Sequence, residues 1–195
     1  MIISVINAKG GVGKTTTAIY LASVLASRGH EIRFLDMDRQ GSAMEWFERA
    51  EDNDAPLAFG VEVTIPRQLA RIARHNHDGE IIIIDTPPGD TDAIDAVIEV
   101  SDFVLVPTRS RSADMTRVWE ILPLLQNRPH AVLLTFVRAG TTSLTDALTA
   151  LKEGDASFLE AHIPLRESIG NSYGYAPTHF DGYEAVTDEI LEALK

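Results

Sequence analysis

Two lysines stand five residues apart in a glycine cluster near the start of the chain: Lys9 and Lys14 in INAKGGVGKTTTA, residues 6–18. Glycines at 10, 11 and 13 let a backbone fold tightly and turn successive N–H groups toward an anion. An apolar run, MIISVIN, precedes the cluster and a helical pattern follows it, which is the setting a phosphate loop requires. Lys14 is then placed to reach the outer phosphates of a nucleotide. Thr15 is placed to set its hydroxyl on Mg2+, and Thr16 adds a phosphate contact from the first helical turn. The common G-x-x-x-x-G-K-[ST] spacing would put a glycine at position 8, where this chain has Ala8, whereas K-G-G-x-G-K-T-T is present in full. One lysine suffices for the phosphates, so the second needs another role.

Two acidic sites support the same chemistry. Asp85 follows four consecutive isoleucines in EIIIIDTPPG, so a buried strand delivers a carboxylate to its C-terminal edge, where a metal shell is held. Asp36 and Asp38 flank Met37 in LDMDRQGSA, beyond the end of another apolar run. There one carboxylate can support the metal shell while the other orients a water.

The elements that position these groups follow from the hydrophobic periodicity. Strands are expected at 1–7, 31–38, 60–65, 80–85, 102–108, 130–137 and 157–164. Helices are expected at 15–28 (stopped by Gly29), 42–50 (capped by Ser42), 66–74 (Pro66 in its first turn), 113–126, 142–152 and 182–195. Asp90 or Asp92 is expected at a helix N-terminus, and 170–181 reads as loop. Fully apolar strands alternating with helices imply an α/β fold, a mostly parallel twisted sheet with helices on both faces, forming a single domain over residues 1–195. HNH at 75–77 reads as solvated loop, the three late tyrosines as packing and loop residues, and Trp46 and Trp119 as core or dimer-surface residues.

Composition narrows the function classes. With no cysteine there is no disulfide framework and no cysteine-ligated zinc or iron–sulfur cluster. The start of the chain lacks the charged region and cleavage site of a secretion signal, and no apolar run reaches membrane-spanning length, so a cytoplasmic location is expected. A net charge of -12 disfavours a constitutive binder of nucleic acid or anionic membrane. Of 17 cationic residues only four are lysines, so any basic patch must be local and built mainly from arginine.

KGGVGKTTTA, LDMDRQGSA, IIIIDTPPGD and VPTRSRSAD occur in this order over nearly the whole chain. Together they resemble the ParA/MinD family of deviant-Walker P-loop ATPases, and most of all the small plasmid-type ParA partition proteins. The resemblance implies a role for the second lysine: Lys9 reaches across an ATP-dependent homodimer to the phosphates held by the other subunit. It implies a nucleotide cradle of Lys9, Gly10, Gly11, Val12, Gly13, Lys14, Thr15 and Thr16, and catalytic roles for Lys9, Lys14 and Asp38. Mg2+ would be held by Thr15, by Asp85 through water, and with help from Asp36. It further implies ATP as nucleotide, a ParB-like centromere-binding or adaptor partner that stimulates hydrolysis, nonspecific DNA binding and nucleoid association. The DNA candidates are Arg138, Lys152 and Arg166, the last in an IPxR stretch.

Some residues depart from the family pattern. Arg39 stands where the family usually has proline, Thr135 where many members have asparagine, and Ser110 where small ParA proteins often have a second proline. A positioning ATPase for a carboxysome or chemosensory cluster would share the whole mechanism. A MinD-like division-site regulator would end in a basic amphipathic helix, whereas this last helix carries Glu184, Asp188, Glu189 and Glu192, so no membrane partner is expected. An amide-forming ligase would need a carboxylate-substrate pocket, which the sequence does not reveal.

Overall fold

The computed structural model describes residues 1–77 and 79–195. Six strands, β1 (Ile2–Val5), β2 (Glu31–Asp36), β3 (Val61–Val63), β4 (Glu80–Asp85), β5 (Phe103–Thr108) and β6 (His130–Leu134), form one sheet in the order β3-β2-β4-β1-β5-β6. Every pairing is parallel. The central strands are buried on both faces, which explains their unbroken apolar runs. Helices α1 (Lys14–Ser27), α2 (Ser42–Asp52) and α8 (Tyr183–Ala193) pack on one face, around Ile19, Phe34, Trp46 and Tyr183. Helices α3 (Pro66–Arg74), α4 (Thr91–Val100), α5 (Ser112–Ile121) and α6 (Thr142–Glu153) cover the other, around Leu69, Val97, Val118 and Leu151. A short helix α7 (Glu167–Asn171) opens the segment leading to α8.

Register fixes the site. Val5 pairs with Asp85, and Asp36 also pairs with Asp85 from the other side. The phosphate loop and both acidic strand ends therefore meet at one edge, where β1 meets its neighbours and the crossovers diverge, the place where ligands bind in open α/β sheets.

Three expected elements differ. The helix expected over 113–126 stops at Ile121 and tightens into a 3-10 turn at Leu122–Leu125, because Pro123 cannot continue the α-helical ladder. The strand expected over 157–164 forms no continuous ladder: it meets β6 at the bridge Val132–Phe158 and through the Ile163 amide, which donates to the Leu134 carbonyl at 2.9 Å, and it meets the residues after β6 at the bridge Val137–Pro164. Between them the Glu160 and Ala161 amides donate to the Glu189 carboxylate of α8 instead of to β6. Ser42 is not the cap of α2. Gly41, at φ 66°, takes that position, and the Asp36 carboxylate accepts from the Met44 amide in the first turn. Helix α7 is not among the expected elements and takes the first two residues of the loop expected over 170–181; Gly29 ends α1 at φ 87°, and Asp90 caps α4 by accepting from the Ala93 amide at 3.0 Å, both as expected.

Candidate functional site

The loop after β1 is pinned from below. Buried Asn7 donates to the Pro107 carbonyl at 2.8 Å and accepts from the Lys9 amide at 2.9 Å. Thr135, the departure at the end of β6, donates to the Val12 carbonyl at 2.8 Å and ties the loop to the sheet. Val12 itself is buried, so it serves the loop through its backbone. Gly13 occupies φ 90° at the start of α1, and a Cβ there would stand 2.9 Å from the Phe136 ring. Glycine is thus required twice over, by backbone conformation and by close approach.

Above the loop lies a cavity of about 300 Å³. It is lined by the phosphate-loop residues Gly10 to Thr16 other than Val12, by Asp38, Ser42 and Pro88, and by the aromatic pair Trp46 and Tyr173. Lys14 is 6% exposed and donates to the Lys9 carbonyl at 3.1 Å. Burial pushes the Lys14 ammonium below its usual range, while the charges of Asp85 and Asp38 pull it back. An anion in the cavity would favour its charged form.

Thr15 donates its hydroxyl to Asp85 Oδ2 at 2.6 Å. Asp85 is fully buried, and burial raises its carboxyl to about 7; the Thr15 hydrogen bond and Lys14 oppose that rise, and Asp36 and Asp38 add to it. Its Oδ1 is buried with no hydrogen-bond partner among the described residues. An orphaned carboxylate oxygen beside a threonine hydroxyl fits a hard divalent cation, which favours oxygen donors and would stabilise the ionised acid. Asp36 is also buried and also raised by burial, but its oxygens accept from the amides of Asp38 at 2.9 Å and Met44 at 3.1 Å. These bonds shape the turn that carries Asp38. Asp38 stands half-exposed at the cavity wall, and its carboxylate accepts from the Gln40 amide at 2.9 Å.

Lys9 lies elsewhere. Its ammonium is ion-paired with Asp114, in the first turn of α5; the Asp114 side chain is 3% exposed and that of Lys9 38%. Within one chain, the second lysine is thus latched away from the cavity that Lys14 serves.

Of the three DNA candidates, two are neighbours. Arg138 and Arg166 sit at one edge, where the Leu165 amide donates to the Val137 carbonyl at 2.9 Å. Arg166 is paired with Asp181 at 3.2 Å. Lys152 is in the last turn of α6, about 15 Å along the axis from the start of that helix, and does not join them. Arg138 instead shares a cavity of about 360 Å³ with Arg109 and Arg111. Arg109 stacks on Phe136, 5.1 Å from the ring centre. Sequence reasoning gave no role to Asn7, Asp114, Phe136, Arg109 or Arg111. The signal for the arginines was present as R-x-R just beyond an apolar strand. The signal for Asp114 was not, since its partner is 105 residues away.

A family model described as the CobQ/CobB/MinD/ParA nucleotide binding domain matches residues 3–176. The chain belongs to this family. Among curated relatives, it is similar to the maintenance of carboxysome distribution protein A of Gloeobacter kilaueensis, at 35% identity over 88% of this chain and 77% of that protein. It is likewise similar to protein ParA of Rhizobium radiobacter, at 30% identity over 88% of this chain and 80% of that one. In fold it matches pNOB8 ParA bound to nonspecific DNA with a TM-score of 0.69, at 18% identity over 99% and 98% of the two chains. These likenesses agree with the family read from the four motifs and with the parallel α/β fold. Among the described residues, no helix is long and apolar enough to cross a membrane. Among the described residues, no three or more histidines and acids cluster as a ready-made metal site.

Proposed function

We propose that this protein is a cytoplasmic, nucleoid-associated, Mg2+- and ATP-dependent dimerising ATPase that partitions DNA. The observation that carries the reading is the convergence of Lys14, Thr15 and Asp38 on one cavity lined by phosphate-loop residues, with Asp85 buried behind Thr15 and bonded to its hydroxyl. Loop N–H groups and Lys14 would hold the phosphates, and Thr15, with Asp85 behind it, would hold the cation, while Asp36 fixes the turn that carries Asp38. The cation, when bound, neutralises charge on the phosphate oxygens. Asp38 orients the attacking water, and its half-exposed place lets water reach it. ATP and water become ADP and phosphate, with positioning and electrostatics supplying the acceleration. Lys9 leaves Asp114 and completes the partner subunit's site, so ATP drives dimerisation and hydrolysis reverses it. A ParB-like adaptor stimulates that hydrolysis. The arginine cavity of Arg109, Arg111 and Arg138 offers phosphate-matching forks for nonspecific DNA, with Arg166 beside it.

A second reading has its own support. The likeness to a carboxysome distribution protein favours a protein assembly as cargo, moved by the same ATP switch. Both readings share one test of the core: Mg2+-dependent phosphate release by the purified protein. Asp38→Ala should keep ATP binding and lose turnover, and Lys14→Ala should lose ATP binding. Undiminished turnover in Asp38→Ala would remove Asp38 from the mechanism. A neighbouring-gene adaptor that binds a DNA site, or one that binds a protein shell, separates the two cargoes.

A further inference from the structure

Helix α3 buries one side and charges the other. Leu69 is buried, and Ile72 and Ala73 pack half-buried into the core shared with α4. Arg67, Ala70, Arg71 and Arg74 are exposed. Positions 67, 71 and 74 follow i, i+4, i+7 spacing, so three guanidinium groups share one face over about 10 Å. Among the described residues none of the three pairs with a carboxylate, although the chain is strongly acidic and makes seven other ion pairs. Asp92, Asp95 and Glu99 are exposed on neighbouring α4 but form no ion pair with them. Helix stability accounts for Arg71 and Arg74, which lie in the last turn and favour the helix dipole. It does not account for Arg67, a cation in the first turn, where the dipole opposes it.

A second observation adjoins the stripe. Arg33, Arg71, Ile72 and His75 line a cavity of about 210 Å³. Glu62 holds Arg33 in a two-pronged pair, Nε to Oε1 at 3.0 Å and Nη2 to Oε2 at 2.9 Å, which fixes its guanidinium. His75 Nδ1 lies 2.7 Å from the Arg71 carbonyl; it must donate there, leaving Nε2 as the ring's second polar atom. The cavity thus gathers two guanidinium groups and an imidazole in a space large enough for a phosphate group.

Of the large apolar side chains that the described surface exposes, Val63 and Ile65 lie just before α3, but none lies on its outer face with Arg67, Arg71 and Arg74. Protein interfaces are anchored by buried aromatic and aliphatic groups, and single-stranded nucleic acid is gripped by stacking aromatics. A duplex backbone needs only charge and donors, and arginine forks match its phosphates. We propose that the outer face of α3, with the Arg33–His75 cavity, binds the phosphate backbone of duplex DNA. The inference rests on the DNA reading above and gives that partner a second surface. This one lies on the β3–β2 side of the sheet, whereas Arg109 and Arg138 follow β5 and β6 at the other side.

The test is anisotropy of a labelled random-sequence duplex across a salt series, with full-length protein and a nonhydrolysable ATP analogue. The variant Arg67→Ala/Arg71→Ala/Arg74→Ala changes exposed helix positions to a strong helix former. It should bind about tenfold or more weakly at low salt. Its log–log salt slope should be shallower by about 2 to 3 for each α3 face engaged, at about 0.9 per phosphate. Its nucleotide affinity and nucleotide-dependent mass should match wild type. Arg28→Ala/Arg49→Ala/Arg117→Ala removes the same net charge from ion-paired positions and should leave the slope unchanged. Equal slopes for wild type and the α3 variant would overturn the inference and leave the DNA reading standing. So would an equal loss in the control, or self-association at low salt that only the α3 variant abolishes. Wild-type protein that binds no duplex in any nucleotide state would overturn both.

Discussion

Replacing Asp114 with asparagine should tighten the ATP dimer. In the single chain Lys9 is paired with Asp114, and on the proposed mechanism it must leave that carboxylate to serve the partner subunit. Exposed ion pairs contribute about 0.2–1 kcal/mol, and truncating one member of a buried pair costs about 3–5 kcal/mol. With Lys9 at 38% exposure and Asp114 at 3%, the latch lies between these limits, at about 1–2 kcal/mol. A symmetric dimer opens two latches, a total of about 2–4 kcal/mol, or roughly 30- to 700-fold in dimer dissociation constant. Asparagine keeps the side-chain volume and removes the charge. The Asp114→Asn monomer should lose about 1–2 kcal/mol of folding stability from the same pair, since the latch no longer holds the loop to α5. Sedimentation velocity over a concentration series with a nonhydrolysable ATP analogue measures the dimer constant. An unchanged constant would mean that the pair does not compete with assembly. A weaker dimer would mean that Asp114 belongs to the interface, and the latch argument would fall.

Gly13→Ala should weaken ATP binding at least tenfold, because φ 90° disfavours a side chain and the new Cβ would meet the Phe136 ring. Phe136→Ala should relieve only the steric part, so the double variant recovers partway in a nucleotide-binding titration; full recovery would contradict a backbone contribution. The nucleotide-free protein should lose stability as pH rises from about 4 to about 7. Asp85 at about 7 in the fold, against about 4 when unfolded, binds more protons folded across that window, and the loss totals about 4 kcal/mol at most. Asp85→Asn should flatten that dependence and be more stable than wild type at pH 8 in chemical denaturation, while losing Mg2+-dependent turnover. A variant less stable than wild type at pH 8 would contradict a buried, unfavourable charge at Asp85.

Much of this was legible in the sequence because strand ends carry it. Four isoleucines before Asp85 mark a central strand, and a glycine cluster between an apolar run and a helical pattern marks the loop, so local pattern and tertiary position coincide. What failed was set by partners distant in sequence. Ser42 had the right chemistry for a cap, yet Asp36, at the end of β2, reaches the Met44 amide first. The 157–164 stretch had strand-like apolar residues, yet Glu189 takes the amides at its middle. Lys9 was legible as a surplus lysine, but its resting partner is visible only once β5 brings α5 beside the loop. The exposed arginines of α3 were readable as a helix with Pro66 in its first turn; their lack of acidic partners was not, because that depends on which carboxylates the fold brings near.

The central claim is that ATP joins two copies through the lysine that the single chain keeps latched. The most direct measurement is the solution mass of wild type and Lys9→Ala with ADP and with a nonhydrolysable ATP analogue, beside their ATP affinities. The account predicts that wild type is a monomer with ADP and a dimer with the analogue, and that Lys9→Ala binds the analogue through Lys14 yet stays a monomer. A Lys9→Ala protein that dimerises like wild type would contradict it.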